Sequence, residues 1–274
     1  MVVHQKIRLV ACINAEILST GRELLIGKTV NTNASWLASR LAGSGIDVTR
    51  ITAVGDEIAE ISAALSESLK RRPSIIIITG GLGPTYDDLT LDGVASALRI
   101  PLDLNSDALD QVEKKYRSLG LPLTGERIKM AFLPSGSQPI RNDLGTAPGV
   151  VMDWMGTLIF CLPGVPREMI AMYDSYVSKA IGACTPSFHE HSFVIKGIPE
   201  SALAPLIEKW HKANRDIYIK SHPSGSESRP AIEIHLSAVH KEGIQDRDLA
   251  EAEESFRALL SELKIDTTDG GKRK

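Results

Sequence analysis

Two adjacent carboxylates, Asp87 and Asp88, follow a glycine-rich turn in the segment TGGLGPTYDDLT, which begins at Thr79. The glycines of the turn are Gly80, Gly81 and Gly83. A glycine turn between a strand and a helix presents bare backbone N–H groups at the positive end of the helix, where a phosphate can bind. Carboxylates beside such a turn repel that phosphate unless a divalent cation bridges the two. The segment therefore predicts a metal-assisted site for a phosphorylated, nucleotide-like ligand.

A purely structural interpretation of the same segment stays open at this point. Glycine is common in turns because the chain must reverse with a positive φ, and an aspartate near the start of a helix is often only a cap. The segment is not a P-loop, because no Gly-Lys-Ser/Thr follows it. It is not a dinucleotide-binding fingerprint either, because the third glycine of that pattern is missing.

The element before the turn is a run of four isoleucines at 75–78, which is typical of a strand buried on both faces of a parallel sheet. Further strands are predicted at 15–19, 46–54, 150–153 and 157–162, and helices at 57–71, 107–119 and 167–181. Because strands and helices alternate, we predict a doubly wound parallel α/β sheet over residues 1–182, with ligands at the carboxyl ends of its strands.

The pattern changes beyond residue 187. Apolar and polar residues alternate at 191–195 and 232–238, which favours half-buried strands of an antiparallel sheet. Two amphipathic helices accompany them. We predict a small α+β domain over 187–265 and a disordered tail over 266–274.

Composition excludes several classes of function. Hydrophobic residues make up 43% and charged residues 24%, as in an ordinary globular enzyme. The net charge of −3 provides no basic surface for nucleic acid or an anionic membrane. The N-terminal apolar run is too short for a signal peptide or a membrane span. The three cysteines, Cys12, Cys161 and Cys184, lack metal-ligand spacing. We expect a cytoplasmic protein without nucleic-acid or membrane partners.

Other carboxylates and a lysine are candidates for the same site. Glu16 and Glu23 flank the predicted exit of the first strand, and Asp56 follows the second. The exits of neighbouring parallel strands converge, so we expect these carboxylates near the glycine turn. Helix capping explains Asp56 equally well. Lys129 is able to reach a phosphate as a flexible point charge, and a solvated surface lysine is the alternative.

Five segments, taken together and in order, resemble the CinA family. They are ILSTGRELLIGKTVNTN, TGGLGPTYDDLT, KMAFLPSGS, NDLGTAPG and LPGVPREM. That family belongs to the molybdopterin-binding superfamily, which includes MoaB, MogA and the second domain of MoeA. The resemblance is strong over residues 13–181. It is weaker over 187–264, which is similar to the small KH-type domain that follows in CinA.

The resemblance implies hydrolysis of the pyrophosphate of ADP-ribose to AMP and ribose phosphate, with a divalent metal ion (Mg, Mn or Co). It implies Asp88 as the principal catalytic acid, with Asp87 and Lys129 in supporting catalytic roles and Asp88 and Asp56 as metal ligands. The residues that it implies for substrate binding, with Thr85 beside the carboxylates, are Thr79, Gly80, Gly81, Gly83, Thr85, Asn142, Gly145, Gly149, Gly164 and Glu168.

The sequence departs from the family pattern in three places, and one of them is Arg22, at a position where Thr or Asn is common. Many bacterial members carry a C-terminal amidase domain that deamidates nicotinamide mononucleotide, and this sequence lacks it, so we do not expect that activity. The KH-like domain has no G-x-x-G between its helices, so RNA binding is not carried over.

The resemblance also implies a homo-oligomer with a small-molecule nucleotide substrate.

Two other functions fit the same residues. One is molybdopterin binding or adenylylation in molybdenum cofactor biosynthesis, although Leu82 stands where those enzymes usually have threonine. The other is a non-catalytic nucleotide-binding protein. The hydrolase interpretation leaves ADP-ribose, other nucleotide sugars and FAD as possible substrates.

Overall fold

The computed structural model describes residues 13–182, 189–215, 217–223, 231–238, 246–262 and 267–269. The chain divides into two compact units, Met1–Ala42 with Ile46–Cys184 and Gly43–Gly45 with Thr185–Lys274. Among the described residues, no helix is both long and apolar enough to cross a membrane.

The first unit alternates strands and helices. Its strands are β1 (Asn14–Thr20), β2 (Asp47–Val54), β3 (Ile75–Thr79), β4 (Leu102–Leu104), β5 (Phe132–Pro134), β6 (Gln138–Ile140), β7 (Gly149–Trp154) and β8 (Thr157–Leu162). Its helices are α1 (Arg22–Leu25), α2 (Thr32–Gly43), α3 (Ile58–Lys70), α4 (Thr90–Leu98), α5 (Ser106–Ser118), α6 (Gly125–Ile128), α7 (Pro166–Met172) and α8 (Ser178–Ile181). A π-helical stretch, Tyr173–Val177, joins α7 to α8.

The main sheet has six strands in the order β2-β1-β3-β8-β7-β6. The first four are parallel to one another, which confirms the predicted α/β fold. The sheet is not entirely parallel, however, because β7 runs antiparallel to β8. Only Met155 and Gly156 join these two strands, both with positive φ (50° and 89°). A two-residue hairpin of this kind forces antiparallel pairing, since a parallel pair requires a long crossover.

The position of β3 in the middle of the sheet explains why its sequence is apolar throughout. Successive side chains of a strand point to opposite faces of the sheet. Ile76 and Ile78 pack into one hydrophobic cluster, with residues of α3, α4 and α5. Ile75 and Ile77 pack into the other, with residues of α2 and α7. Helices on both faces therefore bury β3 completely and leave its carboxyl end as the route to a ligand.

The second unit is a four-stranded antiparallel sheet in the order β10-β11-β9-β12, with two helices. Its elements are β9 (His189–Lys196), α9 (Glu200–Ala213), β10 (Ile217–Pro223), β11 (Ala231–Ala238), α10 (Asp246–Glu262) and β12 (Thr267–Asp269). The predicted small α+β unit is confirmed. The predicted disordered tail is wrong for Thr267–Asp269, which pair with β9. The rest of that predicted tail lies outside the described residues.

Candidate functional site

A cleft of about 370 Å³ lies where the chain leaves β1, β3 and β8. These strands are neighbours in the parallel part of the sheet, so their carboxyl ends lie side by side. The cleft is lined after β1 by Thr20, Gly21 and Glu23, after β3 by Gly80, Gly81, Leu82 and Gly83, and after β8 by Pro163, Gly164 and Val165. The structure therefore places the glycine turn in a cavity at the predicted edge of the sheet.

The glycine turn needs glycine for both conformation and space. Gly80 and Gly81 have φ of +103° and +60°, and a Cβ on Gly80 would lie 2.3 Å from the carbonyl oxygen of Thr20. The N–H of Gly80 donates to the carbonyl oxygen of Leu162 at 3.0 Å. The N–H groups of Gly81, Leu82 and Gly83 donate to no atom of the residues that the structure describes. These three amides, rather than that of Gly80, are available to a phosphate.

Two buried hydroxyls support the turn. The Oγ1 atoms of Thr20 and Thr90 lie 2.9 Å apart. Thr90 Oγ1 donates to the carbonyl oxygen of Gly80 at 2.8 Å, and Thr20 Oγ1 lies 3.2 Å from that of Thr79. Both threonines are buried, at 4% and 0% exposure, so these contacts satisfy turn carbonyls that water does not reach. Sequence reasoning missed this pair because its members are far apart in the chain and belong to no motif.

The two carboxylates that follow the turn meet at one threonine. The N–H of Thr85 donates to Asp88 Oδ2 at 2.8 Å, and its hydroxyl donates to the same oxygen at 2.6 Å. That hydroxyl also contacts Asp87 Oδ1, and this hydrogen bond is the main reason that the pKa of Asp87 is lowered. All three residues line the cleft. A Cβ on Gly83 would lie 2.6 Å from Asp88 Oδ2, so the third glycine lets this carboxylate approach the turn.

Asp56 lines the same cleft, as its position after β2 predicts. Its Oδ2 accepts a hydrogen bond at 2.8 Å from the backbone N–H of Arg22, the first residue of α1, so Asp56 caps that helix and not α3, whose N-cap is Glu57. Burial raises the pKa of Asp56, and the negative charges of Glu23, Asp87 and Asp88 raise it further. The structure therefore brings four acids into one mutually repelling group.

Glu16 does not join this group, and the prediction that it does is wrong. Its carboxylate is buried, accepts 2.6 Å and 2.7 Å hydrogen bonds from the guanidinium of Arg71, and accepts a 2.8 Å bond from Ser68. Burial alone raises the pKa of Glu16, but the hydrogen bonds from Arg71 and Ser68 outweigh it and lower the pKa. Strand β1 continues to Thr20, so Glu16 lies inside the strand and faces α3 rather than the exit.

Asn142 and Gly145 act on the cleft through Glu168, which lines it. Asn142 Nδ2 donates to Glu168 Oε2 at 2.8 Å and to the carbonyl oxygen of Ala147 at 2.9 Å. Asn142 Oδ1 accepts from the N–H of Gly145 at 2.8 Å. A Cβ on Gly145 would lie 1.8 Å from Glu168 Oε2, so glycine leaves room for this carboxylate. Both residues position Glu168 and are not among the described residues that line the cleft.

Lys129 is also not among the described residues that line the cleft. Its Nζ donates to the carbonyl oxygens of Thr85 at 3.0 Å and Asp88 at 2.8 Å. It borders a separate cavity of about 170 Å³ next to the glycine turn. The structure therefore gives Lys129 a role in holding the loop that carries the carboxylates.

The remaining predicted positions divide between packing and the cleft. Thr79 is buried, with its hydroxyl 3.3 Å from Ser19 Oγ. A Cβ on Gly149 would lie 2.4 Å from Met172 Cε, so this glycine serves helix packing. Gly164 lines the cleft against the glycine turn, where an added Cβ would lie 3.3 Å from Gly80 Cα.

The donors in the cleft suit a hard divalent cation that the ligand helps to bind. Among the described residues, no three His, Cys, Asp or Glu side chains form a group that holds a metal ion by itself. The cleft instead offers the carboxylates of Asp87 and Asp88, which are oxygen donors. Mg²⁺ is commonly held by one or two carboxylates together with water and substrate phosphates. The Asp87–Asp88 pair fits that arrangement.

Comparisons with known proteins agree on one family. The family model described as "Probable molybdopterin binding domain" matches residues 16–183. A protein of Metallosphaera sedula is 45% identical over 252 residues, covering 91% of this chain and 95% of that protein. A protein of Sulfurisphaera tokodaii is 44% identical over 252 residues, covering 91% of this chain and 93% of that protein.

A solved structure is also similar to the chain. The crystal structure of CinA, a protein of unknown function from Thermoplasma acidophilum, is 40% identical with a TM-score of 0.56. The matched region covers 59% of this chain and 95% of the CinA chain. The residues that the family model matches include every cleft residue named above.

Proposed function

The chain belongs to the molybdopterin-binding domain family as a CinA-like member, and on that premise we propose that it hydrolyses the pyrophosphate of ADP-ribose or a related nucleotide to AMP and ribose phosphate. One observation carries this proposal. Three backbone N–H groups that have no partner among the described residues, at Gly81, Leu82 and Gly83, share a cleft with the paired carboxylates of Asp87 and Asp88. Donors for a phosphate next to acids that repel it are consistent with a ligand that binds together with a cation.

The energetics explain why a cation is needed. Two unit charges of the same sign about 4 Å apart repel by about 4 kcal/mol at an effective dielectric constant near 20. That energy corresponds to about a thousandfold in affinity or rate. A divalent cation, when bound at Asp87 and Asp88, supplies the positive charge that offsets the pyrophosphate.

The residues of the chain then have distinct tasks. The amides of Gly81, Leu82 and Gly83 bind oxygens of one phosphate and stabilise the charge that develops on it. Water attacks the other phosphorus, the bridging P–O bond breaks, and the bridging oxygen leaves with the first phosphate. Glu168, held in the cleft by Asn142, accepts the proton of the attacking water.

The decisive experiment follows ADP-ribose by phosphorus NMR with purified protein, with and without magnesium, manganese or cobalt. The expected result is metal-dependent formation of AMP that disappears in Asp88→Asn while circular dichroism stays unchanged. AMP formation that is equally fast in Asp88→Asn contradicts the catalytic assignment. No AMP with any of the metals contradicts the hydrolase proposal itself.

The description of the matched family favours a second candidate, molybdopterin binding or adenylylation. Tight binding of molybdopterin and its ATP-dependent adenylylation, without AMP from ADP-ribose, is the result that selects this candidate. Nucleotide binding measured by calorimetry without any product selects a non-catalytic nucleotide-binding protein. For either enzyme we propose a cytoplasmic homo-oligomer without nucleic-acid or membrane partners. Sedimentation tests the oligomeric state, and filter binding tests the absence of nucleic-acid binding.

A further inference from the structure

We propose that a small cavity beside the cleft, formed around Asn33 and Glu23, binds the ribose hydroxyls of the ligand. The inference rests on the proposed function only for the phosphate that anchors the ribose at the glycine turn. It assigns a role to the segment VNTN, 30–33, which the proposed hydrolysis does not use.

The cavity has a volume of about 100 Å³ and adjoins the cleft. Thr20, Glu23 and Gly164 line both, so a group attached to a phosphate at the glycine turn is able to enter it. Most of its other polar residues come from the chain between α1 and α2 and from the first turn of α2, and they include Asn31 and Asn33.

Asn33 is the main support for the proposal. Its side-chain Nδ2 donates to the carbonyl oxygen of Gly164 at 2.8 Å. Its Oδ1 is buried and has no hydrogen-bond partner among the described residues, in a residue that is only 9% exposed. Turning the amide over would place Oδ1 against the carbonyl of Gly164, two acceptors with no hydrogen between them, so the orientation is fixed. A buried acceptor without a partner is costly, and a ligand donor would satisfy it.

The chemistry of the donor follows from the neighbours of Asn33. Glu23 supplies a second, negatively charged acceptor to the same cavity, so a phosphate would be repelled. Hydroxyl groups donate to both a carboxylate and an amide oxygen, and the two adjacent hydroxyls of a ribose supply two such donors. Dinucleotide-binding folds hold a ribose in the same chemical way, with a carboxylate that accepts from its hydroxyl.

The test compares two probes by calorimetry in the presence of magnesium, ribose 5-phosphate and 2-deoxyribose 5-phosphate, which differ in one hydroxyl. We expect the wild-type protein to bind ribose 5-phosphate about tenfold more tightly, the effect of one or two hydrogen bonds. In Asn33→Ala this preference is expected to disappear. Asn105→Ala is the matched control, because Asn105 caps α5 and is not among the described residues of the cavity or the cleft. Its preference is expected to equal that of the wild type.

A second variant protects the test against misfolding. Glu23 is exposed, so Glu23→Gln is expected to fold and to reduce the preference for ribose 5-phosphate. Equal binding of the two probes by the wild type, no binding of either, or a preference that survives in Asn33→Ala and Glu23→Gln overturns the proposal.

Hydrolysis of ADP-ribose is measured on the same samples. A preference for ribose without AMP formation supports the ribose subsite and contradicts the hydrolase. AMP formation without the preference supports the hydrolase and contradicts the ribose subsite.

Discussion

The ammonium group of Lys129 lies 2.8 Å from the carbonyl oxygen of Asp88, whose side chain lines the cleft. The same ammonium lies 3.0 Å from the carbonyl oxygen of Thr85, the residue whose side chain joins Asp87 to Asp88. One lysine therefore fixes the backbone of the loop from which both carboxylates project. The sequence predicts that Lys129 contacts a phosphate of the ligand. These hydrogen bonds predict instead that Lys129 stabilises the loop.

Replacing Lys129 with methionine is expected to destabilise the protein and to loosen this loop. The loss of two charge-assisted hydrogen bonds is expected to lower the free energy of unfolding by about 1–2 kcal/mol, measured by urea denaturation. Amide exchange at 85–89 is expected to become faster. Lys114→Met is the control, since Lys114 forms an exposed pair with Asp110 and the loss of this pair is expected to cost about 0.5 kcal/mol or less. Unchanged stability with weaker AMP binding would instead identify Lys129 as a phosphate ligand.

Replacing Asp56 with asparagine is expected to stabilise the metal-free protein. The pKa of Asp56 is raised above 3.8 in the folded protein, so folding binds protons and stability falls as pH rises above that value. Asparagine keeps an acceptor for the N–H of Arg22 and removes the charge. We expect a gain of about 0.5 kcal/mol at pH 7, limited by solvent screening, and none once the pH is low enough to protonate Asp56.

Urea denaturation at several pH values measures this gain. Asp103→Asn is the control, because Asp103 is an exposed acid of β4 that is not among the described cleft residues. Equal stability changes in the two variants, or a loss of stability in Asp56→Asn at pH 7, contradict the repulsion inferred for the cleft.

Replacing Gly145 with alanine is expected to displace Glu168. The new Cβ would lie 1.8 Å from Glu168 Oε2, so the carboxylate or the loop must move. The atom that must move is the end of a flexible side chain, so the loss of stability is expected to stay below about 1 kcal/mol. Turnover is expected to fall if Glu168 accepts a proton in the reaction. Gly125→Ala is the matched control, because nothing lies within 4 Å of its added Cβ. Thermal unfolding and the ADP-ribose assay decide, and equal behaviour of the two variants removes the steric argument.

Replacing Arg71 with methionine is expected to leave Glu16 buried without its partner. The expected loss is about 2 kcal/mol at pH 7, below the cost for a fully buried pair because the Arg71 side chain is 35% exposed. The pKa of Glu16 is lowered in the wild type, so the stability that it contributes is present above its ordinary value of 4.5 and is lost as pH falls through its pKa in the folded protein. The stability difference between wild type and variant should therefore shrink as pH falls below about 4.5.

Urea denaturation at pH 7 and at pH 4 measures this change. Arg117→Met, which removes an exposed pair with Glu113, serves as the control. A difference that is independent of pH shows that Arg71 stabilises the protein by packing alone.

The local sequence pattern was enough to predict the elements whose residues strongly favour one type of secondary structure. Strand β3 was predicted to within one residue of its observed bounds, because four consecutive isoleucines favour a strand that is buried on both faces. The hairpin β7–β8 was predicted as two strands, but its direction depends on a two-residue connection with positive φ. Strand β10 was not predicted, because IYIKSHP combines alternation with a lysine, a histidine and a proline that are typical of an edge.

The α/β class, the glycine turn and the acids beside it follow from the sequence alone, because each depends on residues close together in the chain. Which of these groups meet depends on the tertiary structure. Thr20 and Thr90, 70 residues apart, close around the turn, and Asn33 reaches Gly164 across 131 residues. Glu16 and Glu23 look alike in sequence, yet one pairs with Arg71 and the other lines the cleft. Contacts of this kind depend on where strands end and which face a side chain takes, and the packing of the whole unit sets both.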